Sequence, residues 1–118
     1  MNSMGMNSSA WENFLNAAQL LVTAGPVKQR LAQAYTAHLS RLTGDEIPRE
    51  YRDEFAAIGA RLESVQPLRG ETAVQASVRK MSDFEAAAYA VRIVDLLGAM
   101  IRSQLQPRQP VLRAVGDD

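Results

Sequence analysis

Residues 82–105 read SDFEAAAYAVRIVDLLGAMIRSQL, and this segment decides the fold. It opens with Ser82-Asp83-Phe84-Glu85, the pattern of a capping box. In that motif the serine hydroxyl accepts from the glutamate backbone N–H, and the glutamate side chain bonds back to the serine backbone. No proline, which would remove a backbone donor and clash with the preceding turn, interrupts the segment. We therefore predict one long helix over residues 82–105.

This predicted helix carries more apolar surface than one side of a core requires. On a wheel of about 100° per residue, five of its polar side chains occupy a single arc of about 100°: Glu85, Arg92, Asp95, Arg102 and Ser103. A surface helix needs an apolar stripe of only about 100°, yet nearly all the other positions are apolar. Two explanations stay open: three long helices of the same chain surround it, or a second copy of the protein covers part of it. For such a homodimer we predict an interface of four side chains: Tyr89, Ile93, Leu96 and Met100.

The rest of the chain also has helical periodicity. Apolar residues recur at helical spacing over residues 9–24, 26–42 and 48–65, and a short helix fits residues 71–79. Gly25-Pro26 separates the first two helices, because glycine accepts a left-handed backbone and proline suits a helix start. We predict an all-α, single-domain bundle of four long helices and one short helix over residues 9–105, with flexible ends at residues 1–8 and 106–118.

The composition excludes several classes of protein. The 118 residues suit one globular domain, and the apolar and charged fractions, 47% and 22%, are near the average for soluble proteins. Thirteen basic and 13 acidic side chains give no net charge, so the broad positive field of a dedicated nucleic-acid binder is missing. The longest charge-free run, residues 13–27, is shorter than the ~20 residues of a membrane span and contains several polar residues. We expect a cytoplasmic protein without membrane contact.

His38 is the one candidate for acid–base catalysis, because the chain has a single histidine and no cysteine. It lies in helical register with Leu31, Tyr35 and Leu42, which predicts a position at the edge of the core. Its own predicted helix, residues 26–42, carries no acid that could serve as a partner. We therefore expect no catalytic residue and no cofactor. An enzyme that combines His38 with acids of the third helix is the weakest of three alternatives.

A cluster of carboxylates follows the second helix: Asp45, Glu46, Glu50, Asp53 and Glu54. The Asp-x-Asp-x-Asp-Gly spacing of a calcium loop is missing, and no pair of histidines stands at metal-ligand spacing. Arg49 and Asp53 are spaced to pair on one helix face, and acids near a helix start are favoured by the helix dipole. We interpret the cluster as a solvated helix face and expect no metal site.

Nucleic-acid binding is the second alternative, and it depends on Arg69, Arg79 and Lys80 around the turns that flank the short helix. Residues 71–97 have the outline of a helix-turn-helix. However, the second helix would begin with Asp83 and Glu85, which an anionic duplex repels. The first interpretation is therefore a protein that acts through protein–protein contacts. The alternative is a nucleic-acid-associated regulator that uses the three basic residues.

Three segments carry a resemblance to other proteins: residues 28–35 (KQRLAQAY), residues 47–55 (IPREYRDEF) and residues 76–82 (ASVRKMS) followed by Glu85-Ala86. Together they resemble a group of small, all-helical bacterial proteins with no assigned activity, over residues 11–105. The resemblance implies a single helical domain. It implies no activity, and it transfers no catalytic or binding residue to this chain.

Overall fold

The computed structural model describes residues 10–105, and every regular element within them is helical. The α-helices of this part of the chain are α1 (Ala10–Leu21), α2 (Val27–Ala34), α3 (Arg52–Leu62), α4 (Ala73–Arg79) and α5 (Asp83–Leu105). Two short 3-10 turns, Gly44–Glu46 and Arg49–Tyr51, precede α3. The predicted all-α class is thereby confirmed. The predicted flexible ends, residues 1–8 and 106–118, lie outside the described residues.

The helix lengths depart from the prediction of four long helices. Only α5 comes close to its predicted length, with 23 residues. α1 and α3 have 12 and 11 residues, and α2 has eight before its hydrogen bonding changes. Beyond these ends the backbone forms turns and 3-10 segments. In such segments, the backbone N–H and C=O groups that a helix end leaves unpaired can form other hydrogen bonds. None of the helices within residues 10–105 is long and apolar enough to cross a membrane.

The second helix does not continue as an α-helix to residue 42, as the periodicity predicts. From Tyr35 to Leu39 the chain forms a π-helical turn, in which the N–H of Ser40 donates to the carbonyl of Tyr35, 2.9 Å away. Both Tyr35 and Leu39 remain in the core, with 3% and 0% of their surface exposed. An α turn and a π turn differ in their backbone hydrogen bonds, but here both would keep Tyr35 and Leu39 on the buried side. The spacing of apolar side chains therefore does not show which of the two turns forms.

The connections at Gly25 and Ser82 follow the sequence signals closely. Gly25 has a φ of +116°, a left-handed conformation that favours glycine, and the Nε of Arg30 donates to its carbonyl at 2.8 Å. At the start of α5 the Ser82 hydroxyl accepts from the N–H of Glu85 at 2.9 Å, as predicted. The Glu85 carboxylate binds Arg61 of α3. Only the serine half of the predicted capping box is therefore formed, and the glutamate joins two helices instead of bonding back to the serine backbone.

The core forms where α1 and α2 pack against α5. Its fully buried side chains come from every α-helix and from the connections between them: Phe14, Leu31, Leu39, Ile47, Ile58, Leu62, Ser77 and Ile93. The rings of Phe14 and Phe55 meet edge to face with their centroids 5.9 Å apart, which brings α3 onto α1. The buried hydroxyl of Ser77 accepts from the N–H of Val65 at 3.0 Å and so anchors the connection between α3 and α4.

Two ion pairs join α3 to α5 along one side of the long helix. Glu54 lies 2.7 Å from Arg92, and Glu85 lies 2.9 Å from Arg61. The guanidinium of Arg92 also lies 4.7 Å from the centre of the Tyr89 ring. Because the charged groups are partly exposed to water, these pairs add little to the stability of the fold, and their main effect is to set the orientation of α5 relative to α3. They fix which way the other sides of α5 face.

Candidate docking surface on the last helix

α5 has two apolar sides, and only one of them faces the core. The core side is formed by buried side chains that are 0–8% exposed: Ala86, Ile93, Leu96, Leu97 and Met100. α1 and α2 pack against α5 there. The apolar excess that the sequence predicts for this helix is therefore real, and it is divided between a covered and an open side.

The four residues predicted as a homodimer interface belong to the covered side. Ile93, Leu96 and Met100 are 0%, 5% and 2% exposed, and Tyr89 is half-buried beside Arg92. For these residues the structure agrees with the other explanation that the sequence leaves open, in which helices of the same chain surround them. Ile93, Leu96 and Met100 are packed against their own chain, whereas Tyr89 keeps part of its surface exposed.

The opposite side of α5 is apolar and open to solvent. We call it the outer face and define it by residues at alternating intervals of three and four: Phe84, Ala87, Val91, Val94, Gly98, Ile101 and Leu105. Its larger side chains are exposed: Phe84 by 86%, Val91 by 57%, Val94 by 42% and Leu105 by 77%. Gly98 and Ile101 are half-buried. The outer face is thus an apolar stripe that is open to solvent at Phe84, Val91, Val94 and Leu105 and partly covered at Gly98 and Ile101, where Ile101 packs against the core.

Charged side chains border the outer face. Asp83 lies at one edge, and Asp95 and Arg102 lie at the other, all three exposed. A Cβ added to Gly98 would lie 3.4 Å from a guanidinium nitrogen of Arg102, so the arginine side chain lies along the edge of the stripe. An apolar patch with a polar rim is typical of surfaces that contact other proteins.

His38 lies half-buried in the π-helical turn. This agrees with the core-edge position that the sequence predicts. It lines a cavity of about 210 Å³ together with Asn13, Arg41 and Glu46. The Glu46 carboxylate already accepts the backbone N–H of Thr43 at 2.8 Å, as part of the cap of a 3-10 turn. The cavity brings a histidine and an acid to one place, but the acid is held by the backbone.

The predicted basic group does not act as three free charges. Arg69, Arg79 and Lys80 are all exposed, yet the Nε of Arg79 binds the Glu71 carboxylate at 2.7 Å, with a second bond at 3.0 Å. The bond to Arg79 lowers the pKa of Glu71, and the same contact raises the pKa of Arg79. One of the three positive charges is therefore balanced by a carboxylate of the same chain.

The carboxylates between residues 45 and 54 do not assemble into a metal site. Glu54 pairs with Arg92, and Glu46 caps a turn. Asp45, Glu50 and Asp53 are exposed on the surface, in line with the predicted solvated face. Over the described part of the chain, no three histidine, aspartate or glutamate side chains are grouped so as to hold a metal ion.

Tyr35 is a buried acid–base group with a structural role. Its hydroxyl donates to the Glu63 carboxylate at 2.6 Å, just beyond the end of α3. Burial, followed by the bond to this carboxylate and its charge, raises the pKa of Tyr35 far above its usual value. The hydroxyl therefore stays protonated and serves as a fixed donor that ties the π-helical turn to α3.

Two further surface cavities offer binding space without a catalytic arrangement. A cleft of about 470 Å³ lies between the start of α1, the 3-10 turns and the end of α5, and its Arg52 donates to the carbonyl of Ile47 at 2.8 Å. An apolar groove of about 360 Å³ lies between α1, α2 and α4, and its polar lining is limited to hydroxyl and amide side chains. In the cleft, the hydroxyl of Ser103 is hydrogen-bonded to the hydroxyl of Tyr51 at 3.0 Å, and the lining of the groove contains no acid or histidine.

Sequence reasoning missed the outer face, although the sequence holds a signal for it. Its seven positions follow the alternating three-and-four spacing of a coiled-coil seam over three heptads. The wheel detects the apolar excess but does not separate this seam from the core side, because both are apolar.

Comparison of the chain with protein-family models, curated proteins and solved structures finds no match. The resemblance to small helical bacterial proteins accordingly stays a prediction. The candidate surface stands on the geometry of α5 and on the exposure of its side chains.

Proposed function

We propose that this protein acts through protein–protein contacts, without catalysis of its own, and that the outer face of α5 is its docking surface. The observation that carries the proposal is the exposure of Phe84, Val91, Val94 and Leu105 along one stripe. Single exposed apolar residues are common on protein surfaces. Several exposed apolar residues on one side of a helix, with a charged border, are typical of a contact site.

The energetics support a contact at this stripe. Burying a phenylalanine or leucine side chain completely contributes roughly 1.5–3 kcal/mol, and Phe84 and Leu105 are 86% and 77% exposed. A partner that covers both ends of the stripe therefore gains most of this free energy at Phe84 and again at Leu105. The core of the chain need not open for this, because Ile93 and the other buried residues lie on the opposite side of α5.

Size measurement in an extract of the protein's own cells tests the proposal even while the partner is unidentified. We expect the wild-type chain to elute well above its 12.9 kDa mass. We expect Val91→Glu to elute as the free chain, because a charge on the outer face cannot be buried against an apolar partner.

Val22→Glu is the matched control. Val22 is 79% exposed and lies outside α5, so the same charge there should leave the elution of the assembly unchanged. A wild-type chain that elutes as a free monomer, or a Val91→Glu chain that elutes like the wild type, would contradict the proposal.

Raising the salt concentration separates this function from the nucleic-acid alternative. Phosphate contacts through Arg69, Arg79 and Lys80 would weaken steeply as salt increases, whereas an apolar contact would not. The Arg79–Glu71 pair reduces the charge that this group offers to a phosphate backbone. We therefore expect the assembly to persist at high salt. Dissociation by salt, together with loss of the assembly in Arg69→Ala, would favour the alternative.

A further inference from the structure

We infer that the groove between α1, α2 and α4 binds an uncharged, mainly apolar small molecule that carries a hydrogen-bond acceptor, such as a carbonyl oxygen. The groove has a volume of about 360 Å³. Small-molecule sites range from about 300 to 1,000 Å³, are mostly apolar with a few polar groups, and often lie between helices. None of the lining residues belongs to α5, so the inference does not depend on the docking role proposed for the outer face.

The floor of the groove is apolar and rests on the core. Leu20 of α1 and Ala32 of α2 are half-buried, and both pack against the buried residues of the core. Ala32 and Ala37 have small side chains, which leave open the space between the helices. A ligand that covers this floor removes apolar surface from water, which favours an apolar ligand.

The groove offers no countercharge to an ionised ligand. None of the described residues that line it is charged, and its polar side chains are two glutamines and two threonines: Gln33, Thr36, Thr72 and Gln75. Glu71, next to the groove in the chain, is bound to Arg79 at 2.7 Å. A charged ligand would lose part of its hydration here without meeting an opposite charge. The groove therefore favours an uncharged ligand.

The α4 edge of the groove presents an oriented hydrogen-bond donor. The Oε1 of Gln75 accepts the backbone N–H of Thr72 at 2.9 Å, and the Thr72 hydroxyl accepts the backbone N–H of Gln75 at 3.0 Å. Because a backbone N–H can only donate, this pairing fixes which end of the Gln75 amide is the oxygen and leaves Nε2 for another partner. Among the described residues Nε2 has no such partner. It can only donate, so it suits an acceptor on the ligand.

The α2 side of the groove is formed in part by the π-helical turn, which carries Thr36 and Ala37. The turn is held by hydrogen bonds at two points. The Tyr35 hydroxyl donates to Glu63 at 2.6 Å, and the Ser40 hydroxyl donates to the carbonyl of Thr36 at 3.0 Å. Such turns within α-helices frequently occur at functional sites. Both walls of the groove are therefore held in shape by the chain's own contacts.

Titration with three matched aromatic compounds tests the inference, with the amide NMR signals of the full-length chain as the readout. Acetophenone, which is uncharged and has a carbonyl oxygen, should shift the backbone signals of Ala32 and Ala37 and the side-chain signals of Gln75 to saturation. Ethylbenzene lacks the acceptor, so it should bind about threefold to tenfold more weakly and shift the Gln75 side-chain signals less. Benzoate should also bind more weakly than acetophenone, because its charge is not matched.

Two substitutions separate the space in the groove from the donor at its edge. Ala32→Leu fills the floor and should weaken acetophenone binding by about tenfold or more. Gln75→Glu keeps the capping box, which accepts glutamate at this position, but removes Nε2, so it should weaken acetophenone binding by about threefold to tenfold. Ala57→Leu and Gln66→Glu make the same changes at exposed positions outside the groove and should bind as the wild type does. If Ala32→Leu loses its helical circular dichroism spectrum, Ala37→Leu, at an exposed position, provides the same test.

Several outcomes would overturn the inference. They are the absence of a saturable acetophenone shift, shifts confined to the outer face, benzoate binding as tight as that of acetophenone, and unchanged binding in Ala32→Leu. If no compound binds but Ala32→Leu elutes as a smaller assembly in the cell extract, the groove takes a side chain of another protein, which also overturns the inference. Val91→Glu should bind acetophenone as the wild type does. A failure of the groove and a failure of the outer face are therefore distinguishable.

Discussion

Replacing Gly59 by alanine tests the tightest contact between the π-helical turn and α3. A Cβ at residue 59 would lie 3.0 Å from the hydroxyl oxygen of Tyr35, closer than an ordinary contact. The tyrosine has little room to move, because it is 3% exposed and its hydroxyl is bonded to Glu63 at 2.6 Å. Alanine within a helix is favoured over glycine by about 1 kcal/mol, whereas overpacking costs about 1–3 kcal/mol. We expect a net destabilisation of about 1 kcal/mol.

The Tyr35→Phe background separates these two effects. Without the hydroxyl, the nearest ring atom to the new methyl group lies 4.0 Å away, which is an ordinary contact. Tyr35→Phe by itself should cost about 1 kcal/mol, because it removes one hydrogen bond while the exposed Glu63 regains water. In this background Gly59→Ala should stabilise the protein by about 0.5–1 kcal/mol. The two substitutions should therefore couple by about 1–2 kcal/mol.

Urea unfolding of the four chains, followed by circular dichroism, measures the coupling. The dependence of the unfolding free energy on urea should stay constant across the set, so that midpoint shifts report stability. Gly44→Ala serves as a control, because a Cβ there would meet no atom within 4 Å. If Gly59→Ala has the same effect with tyrosine and with phenylalanine at residue 35, the proposed clash does not exist.

Three further predictions concern other parts of the molecule. Ser77→Ala leaves the half-buried N–H of Val65 without its acceptor at 3.0 Å, so it should lower the free energy of unfolding in urea by about 1–2 kcal/mol. Ser40→Ala, at an exposed position, should lower it by less than about 0.5 kcal/mol, and equal effects of the two substitutions would contradict this reasoning. The bond to its arginine partner holds the pKa of Glu54 below the usual 4.5, so its stabilisation is present above that value and is lost as pH falls through the lower folded-state pKa. The melting temperature should therefore fall in acid, and it should fall less in Glu54→Gln. If the melting temperatures of the two chains change equally with pH, the ion pair of Glu54 does not contribute to stability. His38→Leu should be tolerated or mildly stabilising, and loss of a cellular phenotype at an unchanged melting temperature would instead indicate a functional histidine.

The presence and order of the helices can be predicted because their signals are local. The left-handed backbone of Gly25 and the hydroxyl of Ser82 each act within one turn, so the sequence shows them directly. The ends of helices are harder to predict, because their hydrogen bonding also depends on distant residues. Tyr35, at the start of the π-helical turn, is held by Glu63, 28 positions later in the chain. No periodicity within residues 26–42 contains that information.

The side of α5 that faces the core could not be predicted from the helix alone. Val91 and Ile93 are both apolar and β-branched, yet they are 57% and 0% exposed. Their environments are set by α1 and α2, which pack on one side, and by the ion pair between Glu54 and Arg92, which fixes another. The sequence therefore predicts the apolar excess correctly, but the interface residues that it predicts lie on the side that packs against the chain's own helices.

The two sides of α5 also differ in side-chain volume, and this difference decides how a contact on the outer face would behave. The core side carries leucine, isoleucine and methionine, which fill the space between packed helices. The middle of the outer face carries alanine, valine and glycine, whose smaller side chains permit close approach of another helix. Phe84 and Leu105 lie at the two ends of the stripe, so most of the favourable burial comes only when a partner spans its full length. Such a contact can form and dissociate while the fold stays intact, because the residues that stabilise the fold face the other way.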